Sequence, residues 1–200
     1  MTQQTASDRV WTVPNLLSAT RLVLAIALFA TIERGAWPAA FWLFLVAAST
    51  DWVDGWWARR FGQVSRLGRI FDPLVDKVIV CGAFVMLAAR DGSSAILPWM
   101  ALIVVVRELI VTAVRAEMER MGRDFSAALS GKLKMVLQCA TIGLVLAARA
   151  WPGAAAGSVG LGTAAVWAAW AAVVATVWSG LEYLVAAREL VTGRSSGPRD

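Results

Sequence analysis

Residues 51–76, DWVDGWWARRFGQVSRLGRIFDPLVD, decide how the chain is read. They place four aspartates, Asp51, Asp54, Asp72 and Asp76, in a 200-residue sequence that is 58% hydrophobic. An ionisable side chain near a bilayer is costly and by default marks function. On a helix, Asp51 and Asp54 share a face at a spacing of three, and Asp72 and Asp76 share one at a spacing of four. Two helices can each present a carboxylate pair. Four negative charges converging on one cleft repel one another strongly at low dielectric, and divalent cations offset them. Oxygen-rich sites of this kind suit Mg²⁺ or Mn²⁺. The stretch therefore predicts a site for two divalent metals.

The remainder of the chain supplies the solvent for that site. Apolar runs of about 20 residues are long enough to span a membrane, and six are present, near 15–33, 37–58, 73–89, 95–114, 130–150 and 158–186. The expected fold is all-α, a polytopic integral membrane protein with six transmembrane helices in a single domain over 1–190. The polar segment TGRSSGPRD fits a disordered tail, taken as 191–200. Arg59, Arg60, Arg66 and Arg69 lie between helices two and three. Arg115, Arg120, Arg123, Lys132 and Lys134 collect between four and five, and Arg188, Arg194 and Arg199 follow six. The alternate connections carry Arg34, Arg90 and Arg149, so the basic side, both termini and the aspartates are expected in the cytosol, at an inner (cytoplasmic) membrane. The start of the chain lacks a basic n-region, and Arg21 interrupts the first apolar run, which argues against a cleaved signal peptide.

Histidine is absent, which excludes Ser/His/Asp catalysis and His-ligated zinc and leaves aspartate as the base. The two cysteines, Cys81 and Cys139, sit in apolar helices as small hydrophobes. Eleven tryptophans, several near helix ends, fit an interfacial belt rather than base stacking, and no nucleic-acid partner is expected. The net charge of +5 suits a basic face toward anionic lipid or a phosphorylated substrate. The last apolar segment is dense in Ala and Gly, which permits close packing within a bundle or between subunits.

Pro73 suits a helix that begins there, with Asp72 near its N-cap. Capping accounts for Asp72 alone and leaves Asp51, Asp54 and Asp76 unexplained. Gly55 and Ala58 leave room near the carboxylates for a bulky ligand, and Arg59, one turn beyond Gly55, can hold a phosphate. Asp51, Asp54, Gly55, Ala58, Arg59, Gly68, Asp72 and Asp76 together spell DxxDGxxAR, eight residues, then GxxxDxxxD. This resembles the signature of the CDP-alcohol phosphotransferases. The resemblance implies a six-helix membrane enzyme, commonly a homodimer, that moves a phosphate-linked group from a CDP-linked donor to an alcohol and releases CMP. Carried over by position, Asp51, Asp54 and Asp72 would bind one metal, and Asp51, Asp72 and Asp76 the other. Asp76 would also be the base, while Gly55, Arg59 and Ser65 would contact the CDP-diacylglycerol head.

Two further segments bear on the acceptor. VVRELIVTAVR carries Arg107, Glu108 and Arg115, and SGKLKMVLQ carries Lys132, Lys134 and Gln138. A cationic pocket built from Arg107, Arg115, Lys132 and Lys134 suits an acceptor with its own phosphate. With VPNLLSATRL, these segments resemble the bacterial branch of the family that joins CDP-diacylglycerol to sn-glycerol 3-phosphate, the phosphatidylglycerophosphate synthases. Met135 stands where that branch often has threonine. The alternatives are the same chemistry with inositol phosphate, phosphatidylglycerol or serine as acceptor, a non-catalytic membrane scaffold, and an intramembrane prenyltransferase. The last typically repeats its aspartate motif, and this chain carries one copy.

Overall fold

The computed structural model describes residues 13–61, 68–90, 95–120, 129–152 and 160–191, with the backbone alone over 13–18, 51–61, 68–76 and 189–191 and at 119, 129 and 186. Among these residues the fold is all-helical: α1 (Val13–Glu33), α2 (Trp37–Phe61), α3 (Gly68–Arg90), α4 (Pro98–Arg120), α5 (Leu129–Ala150) and α6 (Leu161–Val191). Pro98 opens α4, where its fixed φ and missing N–H cost nothing. Gly35 turns α1 into α2 with a φ of 70°, a conformation that L side chains rarely adopt.

Helix α1 packs on α2 and α3, α2 on α5, α4 lies between α3 and α6, and α5 pairs with α6. The core is drawn from inward positions three or four apart, such as Ala25, Leu28 and Ile32 on α1 and Ala40, Phe44 and Ala47 on α2. Gly82 on α3 meets the Phe29 ring of α1 so closely that a Cβ there would overlap it. Along α6, Ala165, Ala169, Ala172, Thr176, Ser179, Tyr183 and Ala187 form a buried stripe. The small residues of that helix thus serve close packing inside the bundle. Its opposite face exposes Trp167, Val174, Trp178 and Leu181.

The helices alternate in direction. The Arg90 guanidinium at the end of α3 lies 3.8 Å from the Glu33 carboxylate at the end of α1. Near the start of α2, Trp37 takes the Arg149 guanidinium over its ring at 5.8 Å, and Phe41 meets Trp151 edge-on at 5.1 Å. One end of the bundle therefore gathers the α1–α2 turn with the C-termini of α3 and α5.

Two segments, Ser130–Ala150 and Leu161–Val185, are long and apolar enough to cross a membrane, and Trp37–Thr50 is apolar but shorter. Six helices match the number expected, but by length and composition only these two qualify as spans among the described residues. Helix α4 carries Arg107, Glu108 and Arg115 in mid-course, which dilutes its apolar content. The expectation that a helix begins at Pro73 is corrected: α3 starts at Gly68, so Asp72 is not its cap and Pro73 lies in the second turn. Pro73 has no N–H to offer the Arg69 carbonyl. The expected tail beyond 191 and the N-terminal 1–12 lie outside the described residues.

Candidate active site

All of DxxDGxxAR falls on α2 and all of GxxxDxxxD on α3. Helical backbone at these positions puts Asp51 and Asp54 on one face of α2, and Gly68, Asp72 and Asp76 on one face of α3. The side chains of these aspartates, of Gly55's neighbours and of Arg59 lie outside the described residues, as does Ser65 altogether. The oxygen-only donor set and its helical register fit hard divalent cations, which take carboxylates in preference to sulfur or imidazole. No other group of three or more metal-ligating side chains occurs among the described residues.

Immediately after Asp76 the chain contributes Lys77, whose side chain leads into a second cluster. The Lys77 ammonium donates to the Thr112 hydroxyl on α4 and lies 3.9 Å from the Glu108 carboxylate. Glu108 also accepts from Arg107 Nη1 at 3.1 Å and from the Lys134 ammonium on α5. Arg107 Nη2 donates to the Ser179 hydroxyl on α6 at 2.7 Å, and Arg115 Nη2 donates to the Tyr183 hydroxyl at 2.8 Å. Below this layer the Gln138 amide donates to Thr176 Oγ1 at 2.9 Å, tying α5 to α6. Arg107, Glu108, Lys134 and Gln138 are all buried.

Three basic side chains, Lys77, Arg107 and Lys134, thus surround one carboxylate, Glu108, and Arg115 joins them through Tyr183, whose ring it shares with Arg107. Burying charge that is not matched by opposite charge is expensive, and among the described residues the cluster carries more positive than negative side chains. The Nε atoms of Arg107 and Arg115 are buried without a hydrogen-bond partner among the described residues. Unpaired guanidinium donors in a cationic recess suit a phosphate, which accepts forked N–H donors.

The structure brings Arg107, Arg115 and Lys134 together, but not Lys132, which is exposed on α5. Residues two apart on a helix point to nearly opposite sides, so Lys132 and Lys134 cannot both face the cluster. Sequence reasoning missed Lys77, Thr112, Ser179, Gly180 and Tyr183. Lys77 had a signal, a charge directly after the motif inside an apolar run. Gly180 had none, since its role is to let a side chain pass: a Cβ there would lie 3.1 Å from Arg107 Cγ.

The chain is similar in sequence to known proteins. The sequence model of the CDP-alcohol phosphatidyltransferase family matches residues 11–178. A curated CDP-diacylglycerol–glycerol-3-phosphate 3-phosphatidyltransferase of Shigella flexneri serotype 5b (strain 8401) is 35% identical over 186 residues, 88% of this chain and 94% of that protein. The enzyme of the same name from Escherichia coli (strain K12) is 34% identical over 185 residues, with the same coverage. That of Bacillus subtilis (strain 168) is 36% identical over 104 residues, 52% of each chain.

Proposed function

Because the chain belongs to the CDP-alcohol phosphatidyltransferase family, we propose that it transfers the phosphatidyl group of CDP-diacylglycerol to sn-glycerol 3-phosphate, giving phosphatidylglycerophosphate and CMP. The observation that carries this reading is the adjacency of Asp76 and Lys77, which joins the aspartate helix to a buried cationic cluster on α4, α5 and α6. A donor site and a phosphate-binding acceptor site then share one end of α3. The names of the relatives favour glycerol 3-phosphate, and a cationic recess disfavours an acceptor without phosphate, such as serine.

Asp51, Asp54 and Asp72 would hold one divalent cation, and Asp51, Asp72 and Asp76 a second. When bound, such a pair supplies charge neutralisation at the donor pyrophosphate and at the departing CMP. Gly55, Arg59 and Ser65 would seat the CDP-diacylglycerol head. Arg107, Arg115 and Lys134 hold the phosphate of the acceptor, which presents its hydroxyl toward α3. Asp76 accepts the hydroxyl proton as the acceptor oxygen bonds to the phosphatidyl phosphorus and the bond to CMP breaks.

The apolar side chains exposed around the bundle, among them Val23, Leu102, Leu109, Val136 and Trp167, support a lipid environment. The same reading takes all six helices as spans of one domain in the cytoplasmic membrane, in a homodimer with the aspartates and both termini toward the cytosol. The test is CMP release by the purified enzyme with CDP-diacylglycerol and Mg²⁺. Release should depend on glycerol 3-phosphate, stop in excess chelator and return with Mg²⁺ or Mn²⁺. Arg115→Ala should lower acceptor-dependent efficiency roughly 30-fold, as for one partner lost from a desolvated charge pair. Equal turnover with free serine would overturn the headgroup assignment.

A further inference from the structure

Tyr183 is the one tyrosine of the chain, and it is 3% exposed on the inward stripe of α6. Its ring serves two cations at once. The Arg107 guanidinium carbon lies 5.6 Å from the ring centroid and that of Arg115 lies 5.8 Å away. These arginines are eight residues apart on α4, roughly 12 Å along its axis, so only inward-turned side chains can meet one ring. The Tyr183 hydroxyl also accepts from Arg115 Nη2.

Two guanidiniums brought toward each other repel, and each is a long side chain with several rotamers to choose from. A ring presents negative charge on its face, which favours cations drawn toward it. The phenolic oxygen then fixes Arg115 from one side, as Ser179 and Glu108 fix Arg107. Each guanidinium is tethered through its Nη atoms, and each keeps a buried Nε without a partner among the described residues.

We propose that Tyr183 is a positioning residue that holds Arg107 and Arg115 at a fixed spread before the acceptor arrives, so that both engage its phosphate together. The inference rests on the acceptor reading above and deepens it. Preorganised donors lose less freedom on binding, which appears as a lower acceptor KM. The donor half of the site gains nothing from this ring.

The experiment compares Tyr183→Phe, which keeps the ring and removes the hydroxyl, with Tyr183→Leu, which removes both. Initial rates of CMP release are measured against glycerol 3-phosphate and, separately, against CDP-diacylglycerol, with thermal inactivation in detergent alongside. Tyr183→Phe should raise the acceptor KM about tenfold, the effect of one hydrogen bond to a charged group, with kcat, donor KM and inactivation temperature little changed. Tyr183→Leu should lower acceptor kcat/KM further, about a hundredfold. A wild-type acceptor KM in Tyr183→Phe overturns the proposal. So does a parallel rise in both KM values with a lower inactivation temperature, because that marks a packing role. If the wild-type enzyme uses another phosphorylated alcohol instead, the acceptor identity falls but the tenfold rise is still expected on that alcohol. If it uses only an uncharged alcohol, both readings fall.

Discussion

Among the described residues, Glu108 is the acidic side chain that Lys77, Arg107 and Lys134 share, and these three come from three different helices. Removing one partner of a buried ionic group costs about 3–5 kcal/mol, because the charges left behind have no compensation. Glu108→Ala should therefore abolish activity through loss of the fold, measured as a large drop in thermal inactivation temperature. Glu108→Gln retains a carbonyl acceptor and should fall between that variant and the wild type. Unchanged stability in Glu108→Ala would show that the cluster is not held by this carboxylate. Much of this was legible in the sequence: Arg107, Arg115 and Lys134 stood out as charges in apolar surroundings. Lys132 stood out equally and lies outside the cluster, because charge alone does not reveal which side of a helix faces inward.

At the scale of elements, apolar runs located all six helices but not their ends. Helix α4 continues from the expected 114 to Arg120 and α2 from the expected 58 to Phe61, since a helix persists into polar sequence when no breaker stops it. Pro73 looked like a helix start and is an interior residue, so local preference yielded to the longer helix. The contact of Gly82 with Phe29 could not be foreseen, because a glycine inside an apolar helix does not name its neighbour. Its Cβ would fall within 2.9 Å of three ring atoms of Phe29. Gly82→Ala should cost about 1–3 kcal/mol, as overpacking does, and pairing it with Phe29→Leu should recover part of the loss. Thermal inactivation of the two single variants and the double variant checks this coupling. Gly162 offers the contrast, since a Cβ there meets nothing within 4 Å.

For the molecule as a whole, the testable quantity is its orientation. Gly162 and Lys132 are both exposed, one at the start of α6 and the other at the start of α5. In a background lacking Cys81 and Cys139, a membrane-impermeant maleimide added to intact cells should label Gly162→Cys, and Lys132→Cys only after permeabilisation. The reverse pattern would invert the proposed topology, and labelling of both from outside would contradict a spanning α5. Lys77, Arg107 and Glu108 also bear on how such a protein is made. A single charge at mid-bilayer opposes insertion by about 2.5–3.5 kcal/mol, and the Glu108 contacts that offset this form only when α3, α4 and α5 have met. If these helices span the bilayer as proposed, leaving the translocon and finding their neighbours are coupled events. A ribosome stalled after α3 should hold a segment that still slips back toward water, and one stalled after α5 should hold a set that stays.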